Sequence, residues 1–555
     1  MGEVLRLKRE SLKTSLSVIE KRIEQQPRPI AELRTLTDFE LNDLRKKLGA
    51  NEITAPDLLY AFQARAIELY RNGNSGIGEF IKDAEIQFRD VARSWDPEVV
   101  KAPLFGIPVS VQECCSSKGY DSTYGLVKLC DKPAVDDCIL VKVLKAEGAI
   151  PFLLTATPQP ATSFKGDNSI FGSMHNPYSD RHQPGGGATG EAVLLVQRGS
   201  PIGFGTDLSG GIRIPSVFCG LASLKPTTSR ISAKGLFEIG GNLSENLKPS
   251  VGPIGRKVDH LAQAMLTILR PIMFHLDPNV PPLPFNSEIY KGVSKPKLKI
   301  GYYTTFSDSR LIKPVPAVQN AVSRAITVLR SKGHELVEFE PPTPYCALEI
   351  FIQSMFADGG RAYVNATDGE PIDEQCATIR SLLRTPDIFR GLADAITKRR
   401  IGETAAVARV FTRSKSAEST FKLVEQANNY RDAFSCAWVK AGDLDALICP
   451  TWACPAIPNQ IPYWYVYAPL LYVALYNLLD YPAGTVPMDF VSEEDVTATL
   501  KEAEHFREIG DTYHQKFFEL QEGTQHLPIG VQVVSRPFQE ETVLRVMREL
   551  EERAK

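Results

Sequence analysis

From about residue 100 the chain alternates short apolar runs with helix-length segments, and that alternation restricts the fold more than any other feature. "LFGIPVSVQE" reads as a strand, "DCILVKVLKAEGAIPFLLT" as a helix, a glycine turn and a buried strand, and "EAVLLVQRGSPIGFGTD" repeats the helix–turn–strand order. "KPKLKIGYYT", "LDALICPT" and "LPIGVQVVS" are further strands beside helical stretches. The order predicts an α/β fold: a mixed, twisted β-sheet covered by helices on both faces, in one large domain over 33–555 with its core at about 100–260. Loops at strand ends are where such sheets bind ligands.

The flanks read differently. "SLKTSLSVIEKRIEQQ" places Leu16, Ile19 and Ile23 at helical spacing until Pro27 and Pro29, which predicts a charged helix over 1–32 ahead of the domain. In "TAPDLLYAFQARAIELY" Thr54 caps a helix with Pro56 in its first turn, and Leu59, Phe62, Ala66 and Leu69 form its apolar face. "YVYAPLLYVALYNLLDYPAG" is broken by Pro469, Asn477 and Asp480, so it predicts a buried helix rather than a membrane span. Residues 380–420 predict a cap-like insertion of two amphipathic helices with a basic flank, Lys398-Arg399-Arg400. That pair is either a solvated face or a surface that meets lipid or a protein partner.

A net charge of -3 and a pI of about 6.3 leave no electrostatic footprint for nucleic acid. Ten scattered cysteines without a C-x-x-C point to reduced thiols in a cytoplasmic protein. The N-terminus has no apolar h-region, and Arg6 occupies the position where myristoylation needs Ser or Thr, so at most peripheral membrane contact is expected. Zinc spacing, a P-loop and a dinucleotide fingerprint are all missing, so neither a metal nor a cofactor is expected.

Two glycine-rich stretches, "QPGGGATGE" and "GTDLSGGIRIP", are built to bring backbone N–H groups together on a substrate oxygen. With "PLFGIPVSVQECCSSKGYDSTYGL" and the continuation "SVFCGLASLKPT", they resemble the amidase signature family, and within it the animal fatty acid amide hydrolases. "HLDPNVPPLPF", "FADGGRAYV" and "LYNLLDYPAGTVP" extend the likeness from about Leu33 to the C-terminus. The resemblance implies an amide hydrolase using a Ser-Ser-Lys arrangement, in which a neutral lysine takes a serine's proton through a second serine.

Carried across position by position, the lysine is Gln112, the bridging serine is Gly187 with Ala188 beside it, and the nucleophile is Gly211. None can do the work expected there. Loss of one member of such a unit typically lowers the rate about 10³- to 10⁶-fold, so a catalytically degenerate amidase is expected rather than a working enzyme. The backbone amides of Leu208, Ser209, Gly210 and Gly211 match the family's oxyanion hole, supported by Asp207 and Arg213. They either bind a lipid amide or a small carbonyl or carboxylate ligand reversibly, or persist because the fold needs them.

Two other readings stand beside this one. A displaced nucleophile, Ser209 or Thr189, would need a base, for which Lys118 and Lys128 lie downstream; Cys114 and Cys219 read as packing thiols. Alternatively the chain is a structural subunit of a larger assembly. The resemblance also implies a homodimer. The resembled animal enzymes carry an N-terminal membrane-spanning helix and a strongly apolar cap, both replaced here by more charged segments.

Overall fold

A computed structural model describes residues 1–92, 102–160, 163–237, 246–386 and 416–552. Most of the expected 380–420 helical pair, including Lys398-Arg399-Arg400, lies outside the described residues. The strands are β1 (Ile77–Phe80), β2 (Pro108–Gln112), β3 (Ile150–Thr155), β4 (Gly203–Asp207), β5 (Ala222–Lys225), β6 (Ser250–Gly255), β7 (Lys299–Tyr302), β8 (Glu335–Glu338), β9 (Ala446–Pro450), β10 (Ala483–Phe490) and β11 (Pro528–Val534). Among the described residues they form one sheet in the order β1-β3-β2-β4-β6-β5-β10-β11-β9-β7-β8. The β3-β2-β4 and β9-β7-β8 neighbours are parallel and the remaining pairs antiparallel, so the sheet is mixed, as the alternation predicts.

Helices cover both faces. Gly484 of β10 abuts Met547 of the Glu540–Glu551 helix. Gly530, paired with Pro487 on the neighbouring strand, abuts Val217 of the Arg213–Phe218 helix. Positions 484 and 487 differ in parity and so face opposite sides of the sheet, which places the two helices on opposite faces. β2, β3, β9 and β11 are buried along their whole length, which is why they read as near-continuous apolar runs.

The flanking helices form where capping and spacing direct. Thr54 and Asp57 make a reciprocal capping box at the start of the Ala55–Arg71 helix, and Leu59, Phe62, Ala66 and Leu69 are buried. The apolar run near residue 470 is two helices, Tyr463–Val466 and Leu471–Leu478, because Pro469 interrupts the expected single one. Among the described residues no helix is long and apolar enough to cross a membrane.

The expected N-terminal charged helix spans Gly2–Glu24. It is docked on the domain, with Leu12 and Ile19 buried and Leu16 and Ile23 packed beside them. Lys8 is also buried and forms ion pairs with Glu79 of β1 and with Asp121, the latter at 2.5 Å. The charge pattern hid this, because a lysine on a helix face normally signals solvent. Lys8→Met leaves two buried carboxylates without their cation and is expected to destabilise the protein by about 3–5 kcal/mol, read as a lowered urea midpoint.

Glu191, in the first turn of the Thr189–Val196 helix, is fully buried and receives the hydroxyls of Ser110 at 2.6 Å and Thr155 at 2.9 Å. Burial pushes its carboxyl up to about 8 from an ordinary 4.5, against those two hydrogen bonds. The folded state therefore holds this proton more tightly than the unfolded chain. The stabilisation is complete below about pH 4.5 and is lost as pH rises through about 8. Glu191→Gln, which cannot titrate, is expected to remove a slope of up to about 1.4 kcal/mol per pH unit across that window. Melting temperatures measured at intervals from pH 5 to 9 check it.

Candidate active site

The turn before the Thr189–Val196 helix and the end of β4 converge on the side chain of Gln112, at the C-terminal end of β2. Gln112 is 1% exposed, so its amide must be satisfied by protein. Its Nε2 donates to the Gly187 carbonyl at 3.1 Å and to Thr157 Oγ1 at 3.2 Å. Its Oε1 accepts from the Thr206 amide at 2.9 Å and from Thr206 Oγ1 at 3.3 Å. Gly205 makes room for this: a Cβ there would lie 3.1 Å from Gln112 Oε1 and 2.7 Å from the Ala188 Cβ.

Gly187 and Gly211 meet directly. Gly187 has φ +90°, a conformation that favours glycine, and a Cβ there would lie 2.5 Å from Gly211 Cα and 2.6 Å from Gly211 O. A Cβ on Gly211 would lie 2.6 Å from the Thr206 carbonyl oxygen. The Ala188 amide donates to Gly211 O at 2.8 Å and ties the two turns together. Gln112, Gly187 and Gly211, distant in sequence, thus form one contiguous arrangement in which backbone and a carboxamide hold the turns together.

The loop after β4 is braced from beneath. Arg213 is fully buried; its Nε and Nη2 grip Asp207 at 2.9 and 3.0 Å, and its remaining donors reach Val473 O, Gln532 Oε1 and Asn477 Oδ1. Burial alone would raise the Asp207 carboxyl, but the Arg213 guanidinium and Asn477 outweigh it and hold it well below the usual carboxylate range. Asp207 also accepts the Gly210 amide at 2.8 Å and the Ile212 amide at 3.3 Å. This corrects one expectation: the Gly210 N–H points into the brace and is not offered to a ligand. The amides of Leu208, Ser209 and Gly211 make no hydrogen bond among the described residues.

The Thr189 hydroxyl is buried and donates back to the Gly185 carbonyl at the start of its helix. Ser209 is half-buried, and Lys118 and Lys128 are both exposed, with Lys128 Nζ donating to Asn365 O at 2.7 Å. Cys114 contacts Thr206 Oγ1 at 3.5 Å, and burial pushes the Cys219 thiol far up. Among the described residues no group of three or more His, Cys, Asp or Glu side chains could hold a metal ion.

Glu113 was missed in the sequence. Buried beside Gln112, it accepts the Thr123 amide at 2.9 Å, the Thr123 hydroxyl at 2.7 Å and the Thr157 amide at 3.0 Å. Its signal was an acid directly after a short strand run, comparable to Glu191 at the head of an apolar helix.

This scaffold is that of an amidase. The family described as Amidase matches residues 57–544, and the chain belongs to it. It is 36% identical over 529 residues to fatty-acid amide hydrolase 1 of Sus scrofa, covering 94% of this chain and 87% of that protein. It is 33% identical over 524 residues to fatty acid amide hydrolase 1 of Caenorhabditis elegans, covering 93% and 87%. A solved structure of fatty acid amide hydrolase shares the fold with a TM-score of 0.76 at 22% identity, covering 99% of this chain and 94% of that one.

Side chains at the two touching glycines have no room. Gly187→Ser and Gly211→Ser are each expected to destabilise by about 1–3 kcal/mol through overpacking, with the larger loss at Gly187 because of its positive φ. Urea unfolding of the two single variants checks the order.

Proposed function

We propose that this chain is a non-hydrolysing member of the amidase family, which uses its loop scaffold to bind a lipid amide or a small carbonyl or carboxylate compound without cleaving it. The observation that carries the reading is the double commitment of Gln112. A carboxamide has no basic site near neutral pH, and here both its ends are engaged in hydrogen bonds. It cannot take a proton from a hydroxyl, and Gly187 and Gly211 supply none to take. What such a site retains is dipolar stabilisation and binding, worth roughly 10³-fold over water in rate.

The amides of Leu208, Ser209 and Gly211 are the donors we assign to the ligand's carbonyl or carboxylate oxygen, held in place by the Asp207–Arg213 pair. A bound amide meets no attacking atom and leaves unchanged. The relatives' name, fatty acid amide hydrolase, motivates long-chain amides as the first ligand class to test.

Oleamide and an aryl amide offered to the purified full chain are expected to show no turnover at enzyme-like rates. A fluorophosphonate probe is expected to leave the protein unlabelled. Labelling that disappears in Ser209→Ala would overturn the reading in favour of a displaced nucleophile. The combined variant Gln112→Lys, Gly187→Ser, Gly211→Ser is expected to stay inactive, because the turns are too close to admit the new side chains.

A further inference from the structure

A separate groove of about 480 Å³ opens beside the loop that follows β2. Its lining is largely apolar, with Leu129, Ile139, Phe237 and Leu276, and Val135 stands at the surface 91% exposed. Three lysines and two aspartates border it, and their pairing is uneven. Lys142 is matched by Asp136 at 2.5 Å. Asp137 is taken by Lys145 at 2.7 Å and by the Lys118 amide at 2.8 Å. Lys132 and Lys234 have no carboxylate partner among the described residues. Two unmatched positive charges therefore border an apolar groove.

The groove is held in shape from several sides. Asp121, itself paired with Lys8 of the N-terminal helix, accepts the amides of Asp131 and Lys132 at 2.9 and 2.8 Å. The Phe237 amide donates to Cys114 O at 2.9 Å, and the Ser122 hydroxyl donates to Glu113 O at 2.7 Å. A groove of this volume with braced walls suits a small ligand, since few of its own groups must be ordered on binding.

We propose that this groove binds a free amphiphilic monoanion, a carboxylate with an unbranched apolar tail. The tail lies along Leu129, Ile139, Phe237 and Leu276, and the carboxylate sits between Lys132 and Lys234. Apolar burial supplies most of the affinity, because exposed ammonium–carboxylate pairs contribute little by themselves. The lysines supply the preference for an anion over a neutral amphiphile of the same length. The proposal does not rest on whether the Gln112 region hydrolyses anything.

The test is calorimetric titration of the full chain with monomeric sodium decanoate and, separately, with decan-1-ol. Saturable decanoate binding is expected, about tenfold tighter than that of the alcohol, as one well-placed charge contact allows. Lys132→Met combined with Lys234→Met is expected to abolish that preference while keeping both aliphatic stems; both lysines are exposed, so the fold is not at risk. Ser209→Trp, which crowds the loop after β4, is expected to retain saturable decanoate binding with the lysine-dependent preference over decan-1-ol, whatever part of the heat the loop itself contributes. Absence of binding, equal binding of acid and alcohol, or an unaltered preference in the double variant overturns the proposal. So does loss of binding in Ser209→Trp, or binding to anionic phosphatidylglycerol vesicles without binding of monomeric decanoate.

Discussion

The contact on which the site depends is the backbone touch between Gly187 and Gly211, fastened by the Ala188 amide and bridged by Gln112. One carboxamide joins β2 to the turn before the Thr189–Val196 helix and to β4. The approach requires glycine at 187, where a Cβ would fall on Gly211, while a Cβ at 211 would fall on the Thr206 carbonyl of its own loop. The Gly187–Gly211 contact holds the two turns against each other.

Buried acids around that contact act as braces, and their surroundings determine their charge. Asp207 faces a guanidinium and stays ionised, receiving two loop amides as it does so. Glu191 faces only two hydroxyls, and desolvation with no compensating cation keeps it protonated near neutral pH. Glu113 faces amides and a hydroxyl and links the loop after β2 to the segments at Thr123 and Thr157. None of the three is presented to a substrate. A cluster of buried carboxylates in a hydrolase fold would invite an acid–base reading, and their hydrogen-bond partners argue against it.

The N-terminal helix extends the same logic away from the site. Lys8 reaches Asp121, and Asp121 in turn organises the backbone that carries Lys132. A segment whose composition reads as an appendage is thereby connected to the rim of the braced groove. The burial of Lys8 itself is matched by two acids far along the chain, Glu79 and Asp121, and no local pattern carries that information.

What the sequence determined by itself was whatever is local. The change from helical to strand spacing set the α/β class, because those periods decide which faces are apolar. The glycines at 187 and 211 and the amide at 112 were legible as side chains without a basic or nucleophilic atom, because reactivity resides in the side chain's own atoms. Tertiary structure alone decided that the two glycines touch, that both ends of Gln112 are occupied, that the Gly210 amide turns inward to Asp207, and that Thr189 bonds to its own turn. It alone decided that Lys8 is buried. Each of these depends on which distant segments the packed sheet brings together, and hydrogen bonds between such segments leave no periodic trace in the chain.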